Sequence, residues 1–344
     1  MWYNADVGHW GRLMRRREFI TLFGGAAAWP AAARAQLLPQ PRRLAAVAHA
    51  AALGEMYETG DNPAWRALFK ELRRLGYVEG QNLIVERFSA EGHIDRYAEL
   101  AREVISRNPD VVVIGWGPLV KAFQSATATI PIVGSMSDPV LQGIVSNVAK
   151  PGGNVTGVSV VASLEIWPKR LQILVEVIPT ASRVAFLASQ LSTHKIPILQ
   201  QAAEQLGIRL LWTPLEGPIQ SRYQRVFEAM TTDRADGLIV SDDADNFINR
   251  RLIVELAEKA RLAAIYPYRE FFEIGGLVAY GADLADTWRR MAGYVDQIFR
   301  GTEPGDLPIY LESKFELLVN AKVAKALGVT IPTSLILRAN EVIE

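Results

Sequence analysis

Short runs of aliphatic and β-branched residues recur along the chain, separated by longer stretches whose apolar positions fall three and four apart. Leu44–Ala48, Leu83–Phe88, Val111–Trp116 and Ile132–Val133 read as strands. Between them, Ala64–Leu75 carries Trp65, Leu68, Phe69, Leu72 and Leu75 on one face and stops at Gly76, so it reads as an amphipathic helix. Helical spacing returns at Ile94–Ser106 and Leu119–Ala128. The strand runs are apolar throughout rather than alternating, as expected for strands covered on both faces in a parallel sheet. A turn-rich block, Lys150-Pro151-Gly152-Gly153-Asn154, breaks the pattern.

The alternation then restarts. Strands are predicted at Thr156–Val160, Val184–Ala188, Arg209–Thr213, Gly237–Val240 and Ala264–Tyr266, with helices at Glu165–Ile178, Lys195–Leu206, Tyr223–Thr231 and Phe247–Ala260 between them. Leu277–Tyr280, Thr287–Arg300, Phe315–Val319 and Ala321–Leu327 exceed what a second unit needs to finish, so the chain is expected to pass back between the units. The pattern predicts an α/β protein of two Rossmann-like lobes with parallel sheets joined by hinge crossovers. One lobe is expected from residues 36–157 and 281–312, the other from 158–280 and 313–344.

Composition changes the picture mainly at the N-terminus. Arg15-Arg16-Arg17-Glu18-Phe19-Ile20 precedes an almost uncharged run from Thr21 to Ala33 and a small-x-small site at Ala33-Arg34-Ala35-Gln36. These are the parts of a secretory signal peptide over residues 1–35, cut near Ala35/Gln36. Arg16-Arg17-x-Phe19-Ile20 also resembles the twin-arginine motif, which implies export in the folded state to the periplasm. Met14 is then the expected start, with residues 1–13 a mis-called extension. The apolar run is too short to span ~30 Å of hydrocarbon and contains Gly24-Gly25 and Pro30, which argues against an anchor. Without residues 1–35 the chain keeps 32 basic and 35 acidic side chains, net −3, too balanced for a protein that holds nucleic acid phosphates. No cysteine is present, which removes lipoprotein anchoring, disulfides and thiolate metal sites.

Candidate chemistry lies where strands end, because ligands of open parallel sheets bind beyond the carboxyl ends of the strands. Trp116 and Gly117 follow one predicted strand, Ser137 and Asp138 another; Ser159, Asp242, Tyr268 and Tyr280 stand at comparable places in the second unit. Aromatic rings, hydroxyls and a few carboxylates suit a small polar or amphipathic ligand. A zwitterion would fit, its carboxylate on helix N-terminal amides near Trp116-Gly117 or Ser137 and its ammonium on Asp138 or Asp242. Plainer roles compete: Asp138-Pro139 is a common helix start, and Ser241 to Asp245 opens a helix whose carboxylates can cap. Trp116 can pack as wall and Tyr280 at a hinge. His49, His93 and His194 are too scattered for a metal site and read as surface or packing residues. No Gly-x-Ser-x-Gly, His-Glu-x-x-His, phosphate-binding loop or Gly-x-Gly-x-x-Gly after a strand occurs, so neither catalysis nor a cofactor is expected.

Several blocks together carry a resemblance. Gly76-Tyr77-Val78-Glu79-Gly80-Gln81-Asn82-Leu83, Pro151-Gly152-Gly153-Asn154-Val155-Thr156-Gly157-Val158-Ser159, Ala279-Tyr280-Gly281, Lys314-Phe315-Glu316-Leu317 with Asn320, and the tail from Ala326-Leu327-Gly328 to Glu344 resemble the ABC-transporter substrate-binding family of the tryptophan-binding type. The resemblance implies a type I periplasmic-binding-protein fold, a small-molecule ligand trapped between two lobes, and an importer permease and ATPase as partners. With no other stretch long enough to span a membrane, the mature chain is expected to be a monomer that is not membrane-embedded. It implies pocket positions around Trp116, Ser137-Asp138 and Asp242. The chain departs from the family pattern at His49–Gly54 and Ser189–His194, which bears on which ligand is held. A periplasmic sensor and a secreted α/β enzyme are the alternative functions.

Overall fold

The structure is a computed structural model that describes residues 40–344 apart from 162, 217 and 218. The expected signal segment, residues 1–35, lies outside the described residues. Two sheets form the body. The first has strand order β11-β5-β4-β3-β1-β2, from β1 (Arg42–Ala48), β2 (Leu83–Ser89), β3 (Val111–Ile114), β4 (Ile132–Met136), β5 (Val155–Ser159) and β11 (Tyr310–Leu311). Every pairing in it is parallel. The second runs β13-β12-β10-β9-β8-β6-β7, from β6 (Arg183–Leu187), β7 (Arg209–Trp212), β8 (Gly237–Val240), β9 (Ala263–Tyr266), β10 (Val278–Ala282), β12 (Phe315–Asn320) and β13 (Glu341–Ile343). Here β12 meets β10 antiparallel, so a mainly parallel sheet ends in two reversed strands.

The continuous apolar runs explain the layering. All four residues of β3 and all four of β8 are buried, because helices cover both faces of each sheet. In the first lobe, one face packs Leu44, Val113 and Val133 against Trp65, Leu68 and Trp288, while the other packs Val112, Ile114 and Ile132 against Leu100, Val104 and Phe123. The helix Pro63–Arg74 presents Trp65, Leu68, Phe69 and Leu72 inward, the face its spacing predicts, and starts at Asn62, whose side chain accepts from the Ala64 amide. The second lobe has one large core around Trp167, Phe186, Ile239 and Phe271.

The chain changes sheet three times: after Ser159, after Ala282 and after Leu311. The helix Leu284–Phe299 leaves the end of β10 and packs against Pro63–Arg74 and strands β4 and β5 of the first lobe. Three crossings place the carboxyl ends of both sets of parallel strands at the gap between the lobes, where the distinctive polar and aromatic residues collect.

Candidate functional site

The gap holds a cavity of about 90 Å³. The first lobe contributes His49 from the end of β1, Trp116 after β3 and Ser135 in β4, with Trp65 and Trp288 from its two helices. Asp242, Phe247 and Tyr268, which follow β8 and β9, come from the second lobe. Trp65 and Trp288 meet edge-to-face with centroids 4.4 Å apart. Gly115 leaves room for this pair, since a Cβ there would stand 2.5 Å from the Trp288 ring. His49 stacks on Trp116, and Phe247 meets Tyr268 edge-on. The walls are thus largely aromatic, with few polar groups.

Asp242 is fixed from both sides. Its Oδ1 contacts the buried Lys195 ammonium, and its Oδ2 accepts from the Ser137 hydroxyl across the gap at 3.0 Å. Burial alone would raise its carboxyl pKa, but the Lys195 and Arg170 charges and the two hydrogen bonds hold it below the usual carboxylate value. The adjacent Asp243 accepts from the Ser189 amide at 2.7 Å and from the Ser192 hydroxyl, and Ser192 in turn accepts from Lys195 at 2.9 Å. Asn246 ties the same loop back to Ser241 and Leu187 and accepts from Tyr223 at 3.0 Å. The loop after β8 is therefore tied down by hydrogen bonds on several sides, and Asp242 lines the cavity with both carboxylate oxygens engaged.

A second bridge joins the lobes. His49 Nε2 lies 2.9 Å from Asp245 Oδ1, and because a carboxylate can only accept, Nε2 donates. His49 Nδ1 is hydrogen-bonded to the Tyr97 hydroxyl at 2.7 Å, and Asp245 also pairs with Arg222 at 2.8 Å. Burial would push the Asp245 carboxyl up, but His49 and Arg222 outweigh it and hold the pKa below its ordinary value. A carboxylate with a depressed folded-state pKa makes its contribution above the ordinary range and loses it as pH falls through the depressed value. The bridge is thus expected to persist down to pH ~4 and fail only below it. Small-angle scattering of the ligand-free protein should show expansion only at the acid end, whereas Asp245→Asn should expand at neutral pH. A variant profile matching that of the parent would remove this role.

The sequence candidates divide. Trp116, Asp242 and Tyr268 line the cavity, and Ser137 reaches its edge through Asp242. Gly117 is buried against Gln142. Asp138 accepts from the Leu141 amide at 3.0 Å, and Ser159, fully buried, donates to backbone oxygens of Ser137 and Val161. Tyr280 packs near Phe315 and faces a different, shallow depression with Glu165 and Gln172. Trp65, Trp288, Phe247 and His49 join the site without having been selected from sequence. The helical spacing of Trp65 marked it as core, which it also is, and His49 follows β1 as Trp116 follows β3. No group of acidic and histidine side chains among the described residues could hold a metal ion. No helix among them is long and apolar enough to cross a membrane.

Two α/β lobes closing on an aromatic gap define a class of binding protein, and comparison with known families agrees. Residues 62–343 match the family model described as ABC transporter substrate binding protein, and the chain belongs to that family. It is 23% identical over 270 residues to a tyrosine-binding protein of Clostridioides difficile, covering 77% of this chain and 76% of that one. Among solved structures, a conserved domain protein from Vibrio cholerae superposes with a TM-score of 0.78 at 24% identity, covering 88% of this chain and all of the other. A Streptococcus pneumoniae domain in complex with L-Trp gives 0.76 at 21% identity, again covering 88% of this chain and 100% of its own. The fold is that of type I periplasmic binding proteins.

Proposed function

We propose that this protein captures an aromatic amino acid or a closely related small aromatic compound between its lobes, outside the cytoplasm, and delivers it to the permease and ATPase of an ABC importer. The observation that carries this reading is the aromatic lining drawn from both lobes: Trp65, Trp116 and Trp288 on one side, Phe247 and Tyr268 on the other. The tyrosine-binding and L-Trp-bound relatives support it. A ligand touching both lobes favours the closed arrangement by its differential affinity, so capture needs no chemistry. The protein acts as a monomer and as a carrier rather than a catalyst.

Thermal unfolding against a panel of amino acids and aromatic acids tests the reading. A true ligand at ~100 times its dissociation constant should stabilise by about 2.7 kcal/mol, a readily measured rise in Tm. The absence of a shift with every aromatic member would overturn the ligand class. Recovery of chemically altered ligand after incubation would overturn the carrier role.

A further inference from the structure

The second lobe holds a cavity of its own, about 140 Å³ against 90 Å³ between the lobes, and the two share no lining residue. Its walls include Ala257 from the helix Arg250–Lys259 and Val323 from the helix Ala321–Leu327. Leu262, Leu277 and Tyr266 of β9 line it as well, and all three are buried. Arg261 ties the two helices together, its Nη2 donating to the Ala326 carbonyl oxygen at 3.3 Å. Glu258 and Ala326 are the exposed members of the lining and mark its mouth.

One polar side chain, Tyr266, lies among these buried apolar residues. It is 2% exposed, and its hydroxyl has no hydrogen-bond partner among the described residues. Its ring is held in place: Phe271 stacks on it with centroids 5.1 Å apart, and a Cβ at Gly276 would stand 2.9 Å from it. Burial, with the Glu258 charge, raises its pKa, so the hydroxyl keeps a proton to donate. A buried hydroxyl without a partner is costly, so such groups occur where something completes them. Glu258 makes no ion pair with any described residue and offers an acceptor at the mouth.

Size and polarity together define the occupant. An apolar cavity of about 150 Å³ holds one benzene ring. A ligand hydroxyl can accept from Tyr266 and donate to Glu258, both of which line the cavity. A carboxylate would meet the Glu258 charge. An ammonium offers no acceptor for the Tyr266 proton and loses its hydration among apolar walls.

We propose that this cavity is a second binding site, taking a small uncharged single-ring compound with one hydroxyl group, phenol in size. It is independent of the aromatic reading of the gap and stands or falls without it. Isothermal calorimetry with phenol, benzoate and benzylamine tests it. Phenol should bind at least about tenfold more tightly than either charged compound. Tyr266→Phe, which removes only the hydroxyl of a residue outside the gap, should weaken phenol binding about tenfold. Ala326→Phe, at an exposed position where the ring would close the mouth, should abolish phenol binding and serves if the first variant melts early. No phenol binding by the folded parent overturns the site, since water alone would then complete Tyr266. Phenol binding unchanged in both variants places the compound elsewhere, the gap included, and overturns it as well. Equal binding of all three compounds overturns the selection for a hydroxyl.

Discussion

Replacing Asp242 with alanine is expected to lower the unfolding free energy by about 3–5 kcal/mol, the usual cost of stranding one partner of a buried ion pair. The partner stranded is Lys195, whose side chain is 2% exposed and which would keep only Ser192, the more distant Asp243 and the Trp167 ring 4.8 Å away. In a protein of this size the loss corresponds to a fall in Tm on the order of 5–10 °C. The same substitution removes the Ser137 bridge, so ligand-free scattering should show a more open protein as well. Replacing both partners, Asp242→Leu with Lys195→Met, should return most of the stability, because two buried charges disappear together. A single variant within about 1 kcal/mol of the parent would show that the pair is not the support described.

The second large effect is expected at Gly281. A Cβ there would stand 1.7 Å from the Pro267 carbonyl oxygen, a backbone atom that cannot swing away as a side chain could. Gly281→Ala must part the ends of β9 and β10 at the crossing into the helix Leu284–Phe299, where Tyr268 and Arg170 are held. The expected cost is at least about 3 kcal/mol, near the upper end of overpacking penalties, with ligand affinity lost in whatever folded fraction remains. Chemical denaturation against the parent measures it. A melting curve that superposes on the parent's would mean that the strands separate more easily than the geometry implies.

What the sequence disclosed, and what it did not, follows from the range of each interaction. Val111–Ile114 and Gly237–Val240 were legible as buried parallel strands because both faces are covered and every side chain must be apolar. Trp116, Asp242 and Tyr268 could be picked because each directly follows such a run. Trp65 and Trp288 could not, since at helical spacing a core residue and a cavity wall look alike, and both residues are both things. The role of His49 depends on Asp245, 196 residues away, and nothing local announces it. Arg170 and Lys195 sit in helical patterns where a basic residue ordinarily marks the solvent side, yet each is 1% exposed. Tyr310–Leu311 and Glu341–Ile343 are strands of two and three residues, too short to carry a period.

The interleaved path has a consequence for synthesis. The outer edge of the first sheet is supplied by Tyr310–Leu311 and that of the second by Glu341–Ile343, so a nascent chain stopped near residue 305 has completed neither half. Long-range pairing of this kind delays the final folding step until the ribosome has released nearly the whole polypeptide, and it makes that step slow. Loss of the last few dozen residues would therefore leave two unsealed edges rather than one intact half beside one damaged half, and such a fragment should aggregate rather than persist as a functional remnant.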